Sequence, residues 1–148
     1  MRTPCAASTR ERGRGVTRRR PDPWLLALLA LGLALRLWRL DHWSFWGDEI
    51  ATLYFARMPL AEIWGADTHP PLYYALIHLW RLLGEQETTL RLSSALVSAA
   101  TVGLAYGCGR RLGGRAVARW AALLQALAPM ALTYAQELRM YALLEFAA

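Results

Sequence analysis

Residues 92–109 read LSSALVSAATVGLAYGCG and residues 120–135 read WAALLQALAPMALTYA, two runs without a charged side chain. A soluble helix of this length carries a polar stripe on its outer face. These two carry only Ser, Thr, Gly and one Gln, the small groups that let membrane helices approach closely. At 1.5 Å per residue the first run is about 27 Å long, near the thickness of a bilayer's hydrocarbon core. The second extends back to Ala116 with one charge, Arg119. A third run, from Pro23 to Leu40, behaves the same way, with Arg36 and Arg39 near its end. Both arginines are expected to snorkel toward headgroups from the last turn. The expected fold is therefore all-α: a polytopic transmembrane bundle with spans near 23–40, 92–109 and 116–135.

Composition excludes several classes. The chain has 148 residues, 55% of them hydrophobic, too many for a disordered protein. Two cysteines, Cys5 and Cys108, make no disulfide framework. The formal charge of +6 is carried by residues 1–20, where seven Arg face a single acid, Glu11. A basic tail followed by a balanced body is not a nucleic-acid-binding face, so no nucleic-acid partner is expected. Thr17-Arg18-Arg19-Arg20 is followed by Pro21-Asp22-Pro23, and no small-residue cleavage site closes the apolar run. The tail, residues 1–22, reads as a disordered cytoplasmic segment before a signal-anchor helix, with the N-terminus inside.

Topology then follows from parity. With the tail inside, residues 41–70 lie outside. Arg110, Arg111, Arg115 and Arg119 form the next basic cluster and belong inside. Only one span can intervene. Pro71–Leu83 has 13 residues and contains His78 and Arg81. At about 20 Å it is short for a span and reads as a juxtamembrane helix. The run 92–109 therefore goes inward and 116–135 returns, which brings residues 136–141 to the same face as residues 41–70.

Three polar clusters share that face. The first is Asp41-His42-Trp43-Ser44-Phe45-Trp46-Gly47-Asp48-Glu49. Ile50, Leu53, Tyr54 and Met58 follow at helical spacing, which predicts an amphipathic helix in the interface. Asp48 could cap that helix, with Glu49 favourable to its dipole. It could equally act as a base toward an acceptor hydroxyl or amine, or hold a divalent metal. The second cluster is Asp67-Thr68-His69-Pro70-Pro71-Leu72-Tyr73-Tyr74, in which Pro71 suits a first helical turn. His69 is either a turn residue or, with the tyrosines, a contact for phosphate or sugar. The third is Gln136-Glu137-Leu138-Arg139-Met140-Tyr141. Arg139 there either anchors to headgroups or, beside Glu137 and Tyr141, binds an anionic phosphate. His42, His69 and His78 show no ligand spacing.

Taken in order, these motifs resemble a known superfamily. Trp46-Gly47-Asp48-Glu49, His69-Pro70-Pro71-Leu72-Tyr73-Tyr74, Leu90-Arg91-Leu92-Ser93-Ser94-Ala95-Leu96 and Tyr134-Ala135-Gln136-Glu137-Leu138-Arg139-Met140-Tyr141 are similar to the N-terminal part of GT-C membrane glycosyltransferases. The nearest groups are the protein O-mannosyltransferase and aminoarabinose-transferase-like families and their bacterial relatives in glycosyltransferase family 39. The likeness covers residues 24–148. It implies transfer of a sugar from a polyprenyl-phosphate donor to a protein, lipid or glycan acceptor at the outer membrane face. It implies that Asp48 is the catalytic base with Glu49 beside it, and that His69 lies near the carrier phosphate. Tyr73, Glu137, Arg139 and Tyr141 are then substrate-binding candidates. The Lys common in the aminoarabinose group has no counterpart, since the chain has no Lys. Such enzymes are several times longer, so a helix beginning at Tyr141 shortly before Ala148 reads as the start of a truncated one. Two other readings remain: a multi-span transporter or flippase subunit, which predicts ionisable groups in mid-span, and a membrane assembly protein without catalysis.

Overall fold

The computed structural model describes residues 22–65 and 69–148, which are all-α. The tail expected over residues 1–22 lies outside them apart from Asp22, as do Asp67 and Thr68 of the second motif. Among the described residues there are seven α-helices: α1 (Pro23–Leu37), α2 (Gly47–Arg57), α3 (Leu60–Ile63), α4 (Pro71–Trp80), α5 (Glu87–Leu127), α6 (Pro129–Ala135) and α7 (Tyr141–Ala147). A single 3₁₀ turn, Arg81–Leu83, prolongs α4.

Local chemistry sets the ends. Asp22 accepts from the Trp24 N–H at 3.1 Å and Pro23 takes the first position of α1, where its missing N–H costs nothing. That helix stops at Leu37, short of the expected Leu40: Trp38 is extended and Arg39 turns left-handed at φ 58°. Pro71 opens α4 as expected, and Gly84, at φ 150°, ends the 3₁₀ turn.

α5 is one element in name only. The backbone leaves the helix at Gly113 and Gly114, and Gly114 sits at φ 78°, a conformation that favours glycine. Its two arms then run antiparallel. A Cβ on Gly109 would lie 2.8 Å from the Ala118 Cα, and Ser98 donates to the Ala131 carbonyl at 3.3 Å. The pairs 109·118 and 98·131 fix the sense of the hairpin. The expected run 116–135 is not one rod, because it breaks at Ala128 before Pro129, which cannot donate to the preceding turn.

Small residues make the bundle possible. α1 lies on the α5 hairpin through Leu28, Val102, Tyr106, Ala118, Ala122 and Ala126, with Gly32 against Val102 and Ala126. By length and apolarity α5 is the one described helix able to cross a membrane, and α1 is a shorter apolar helix. One correction concerns Arg36. It does not snorkel but is 0% exposed, held by Ser98, Gly32, Gln125 and Ala126.

A second core of larger side chains sits at the end of the bundle away from Gly113. Ala56, Ile63, Tyr73, Tyr74, Ile77, Leu90 and Leu138 pack together there, flanked by Phe45, Phe55 and Trp80. α2 turns its polar-bearing row to this core. Glu49, Thr52 and Ala56 are buried, whereas Ile50 and Tyr54 point outward. The helix is rotated because Glu49 is drawn inward by an arginine on α5.

Candidate active site

α2 begins one residue before Asp48. Its cap is Trp46, so Asp48 stands in the first turn and is not the cap. Two adjacent carboxylates on a helix point about 100° apart and reach different surroundings. Glu49 is 0% exposed and Asp48 is half exposed.

Glu49 is fully engaged. Arg91 donates to it from Nη2 at 2.6 Å and from Nε at 2.9 Å. The Leu138 N–H donates to Oε1 at 2.7 Å and the Trp46 N–H to Oε2 at 3.4 Å. Arg91 in turn donates to the carbonyls of Leu40, Trp43 and Ser44 and stacks on Phe45, 5.2 Å from the ring centroid. One arginine on the first turns of α5 thus shapes the whole loop between α1 and α2. Arg91 has no site role in the sequence reading. An Arg next to an uncharged run looks like an interfacial anchor. The signal that could have found it is its place on the same face as Asp48-Glu49 by parity, one position before a run that tolerates no charge.

Asp48 meets the third cluster. Arg139 approaches it at 3.3 Å through Nη2, donates to its backbone carbonyl at 3.5 Å, and lies 5.6 Å over the Tyr141 ring. Tyr141 packs on Tyr134 with ring centroids 4.5 Å apart. His69 lines a tight crevice with Thr52, Tyr73, Tyr74 and Arg139. Tyr73 is buried below, and burial raises its phenol above the usual range.

Beside Glu49, and not lined by Asp48, opens a cavity of about 410 Å³. Trp43, Trp46, Arg39 and Glu137 line it, and Glu49 and Arg91 form part of its wall. The size is that of small-ligand sites, and aromatic walls with a few charged groups suit a polar ring with apolar faces. Burial, and next the neighbouring Glu49 charge, raise the Glu137 carboxyl above the usual carboxylate range.

The seven residues singled out from sequence therefore lie at one end of the bundle in two groups. Glu49 and Glu137 border the cavity, and Asp48, His69, Tyr73 and Tyr141 surround Arg139. Among the described residues no three His, Cys, Asp or Glu side chains gather as a metal cluster. Glu49, turned to Arg91, does not join Asp48 in a chelating pair.

Residues 68–145, more than half of the chain, match the family described as dolichyl-phosphate-mannose-protein mannosyltransferase. The match includes His69, Arg91 and Arg139, and Asp48 and Glu49 precede it. No curated protein and no solved structure matches the chain.

Proposed function

Because the chain belongs to the dolichyl-phosphate-mannose-protein mannosyltransferase family, whose members transfer sugar from a lipid-phosphate donor, we propose that it does the same, as part of a polytopic membrane enzyme. Asp48 and the cavity face the outer side of the membrane, and the N-terminus faces the cytoplasm. The donor is a polyprenyl-phosphate sugar. The acceptor is a hydroxyl or amine of a protein, lipid or envelope glycan.

The observation that carries this reading is the approach of Arg139 to Asp48, 3.3 Å between side chains 91 residues apart, on the segment whose Glu137 lines a cavity of about 410 Å³. In a single displacement the acceptor oxygen or nitrogen attacks the anomeric carbon and the lipid phosphate leaves. Asp48 takes the acceptor's proton, as a positioned general base does. Arg139, with His69 at its side, stabilises the departing phosphate, a task suited to a guanidinium fork. Trp43, Trp46 and Glu137 hold the sugar. Glu49, with both oxygens occupied, acts as a positioning residue for Asp48 and for the Leu138 backbone. Attack without an enzyme nucleophile inverts the anomeric centre.

A transport reading gains nothing from Arg36. That buried charge rests on a hydroxyl and three backbone carbonyls, and among the described residues no carboxylate hydrogen-bonds it, Glu145 being held by the Gln125 side chain. The test is transfer of labelled mannose from polyprenyl-phosphate mannose by membranes containing the full-length protein. Asp48→Asn is expected to lose transfer while the protein still inserts. Undiminished transfer removes Asp48 from the mechanism.

A further inference from the structure

Pro129 lacks an N–H, so the Gln125 carbonyl loses the donor that an unbroken helix would give it. Ala126 and Ala131 on either side of the break are buried, while Leu127, Pro129 and Met130 are exposed. Arg36 fills the gap from α1. Its Nη2 donates to Gln125 O at 3.3 Å and its Nη1 to Ala126 O at 3.3 Å. Nη1 also reaches Gly32 O at 3.0 Å, and Nε donates to Ser98 Oγ at 2.8 Å. Ser98 passes its own hydrogen to Ala131 O at 3.3 Å, on the far side of the break. Gly32 leaves the room: a Cβ there would stand 3.1 Å from Val102 and 3.4 Å from Nη1.

The cap is reciprocated. Gln136, just past α6, donates through Nε2 to Trp38 O at 2.9 Å and Leu35 O at 3.5 Å, serving the last carbonyls of α1. The next three residues all belong to the site. Glu137 lines the cavity, the Leu138 N–H holds Glu49, and Arg139 meets Asp48.

We propose that Arg36 is a positioning residue: by capping the helix end that Pro129 opens, it sets residues 136–139 against Asp48 and Glu49. The fork geometry matters, because one guanidinium reaches two successive carbonyls and a hydroxyl on another helix arm, which the point charge of a lysine does not. The effect on catalysis rests on the transferase reading; the effect on geometry does not.

Two measurements on the full-length protein separate these. With all native cysteines, Cys5 and Cys108 among them, replaced by Ser, Leu138→Cys reports the position of the loop, since Leu138 is 0% exposed. Arg36→Met is expected to speed its labelling by N-ethylmaleimide about tenfold, through local opening of the segment. With Leu138 intact, Arg36→Met is expected to lower kcat about a hundredfold with KM little changed, as displacement of positioned groups does, and Arg36→Lys to fall between. Adding Pro129→Ala restores an N–H for Gln125 and straightens the helix. The double variant Arg36→Met/Pro129→Ala is expected to regain thermal stability but not kcat, and its labelling stays fast. Slow labelling in Arg36→Met, or recovery of kcat in the double variant, overturns the proposal. If the parent protein transfers no sugar, the transferase reading fails alone and the labelling still decides the role of Arg36.

Discussion

The two ends of the bundle each join a carboxylate, an arginine and aromatic rings, and they use them differently. At the Gly113 end, Asp22 accepts from Arg119 at 3.1 Å and from the Tyr106 hydroxyl at 2.8 Å, and Arg119 lies over Trp24. That pair pins the start of α1 to both arms of the hairpin and borders an apolar groove formed by Trp24, Leu28, Trp120 and Leu123. At the other end, Glu49 and Arg91 are 0% and 4% exposed and hold backbone from three segments. A second carboxylate, Asp48, is left half exposed and meets Arg139 at 3.3 Å. The contrast teaches that an ion pair at a helix end is a staple when it ties side chains and only the first turn of its own helix. At the other end one carboxylate and its arginine take up the backbone work of three segments, and the neighbouring carboxylate stays half exposed, paired with Arg139.

The sharpest way to break that contrast is Glu49→Ala. It strands the Arg91 guanidinium in the core, and such an uncompensated buried charge costs about 3–5 kcal/mol. Thermal unfolding should register the full loss, and a shift no larger than that of Arg119→Gln at the opposite end would erase the distinction. Next comes Asp48→Asn. Transfer is expected to drop at least about a hundredfold, the scale of a missing general base, with the unfolding temperature unmoved. A stability loss comparable to that of Glu49→Ala would make the two carboxylates one structural unit.

Gly109→Ala probes the hairpin that brings the clusters together. Its Cβ would be forced to within 2.8 Å of the Ala118 backbone, and overpacking of this kind costs about 1–3 kcal/mol. Unfolding measurements that find it neutral would show that the arms separate freely. The smallest effect belongs to Asp22. The Tyr106 hydroxyl, together with the Trp24 N–H and Arg119, holds its carboxyl below the usual range even against its own desolvation. A depressed folded-state value means a stabilising contribution that is present above about pH 4 and lost as pH falls through the folded value. Asp22→Asn should therefore unfold at a lower temperature at pH 7, with the difference shrinking in acid. A gap that persists undiminished at acidic pH contradicts the assignment.

Much of the arrangement was legible along the chain. The uncharged runs announced the helices, four arginines marked the turn between two of them, and parity put residues 48 and 139 at one end. The apolar spacing of α2 marked Ile50 and Tyr54, which face outward, and said nothing of the buried row that holds Glu49. Hydrophobic periodicity assumes that charge faces outward, and a buried pair with a partner 42 residues away defeats that assumption. Arg36 was misread for the same reason: a lone arginine in a last turn looks like a snorkelling one until the carbonyls opposite it are known.

From sequence alone came helix content, the likeness to a transferase family and the convergence of the polar clusters, because length, apolarity and charge asymmetry act locally or add along the chain. Which carboxylate is buried and which is open, why Arg91 and Arg36 point inward, and where the cavity lies were decided in three dimensions. Each depends on an orphaned carbonyl or amide meeting a donor or acceptor from a distant helix, and such pairing leaves no periodicity to read.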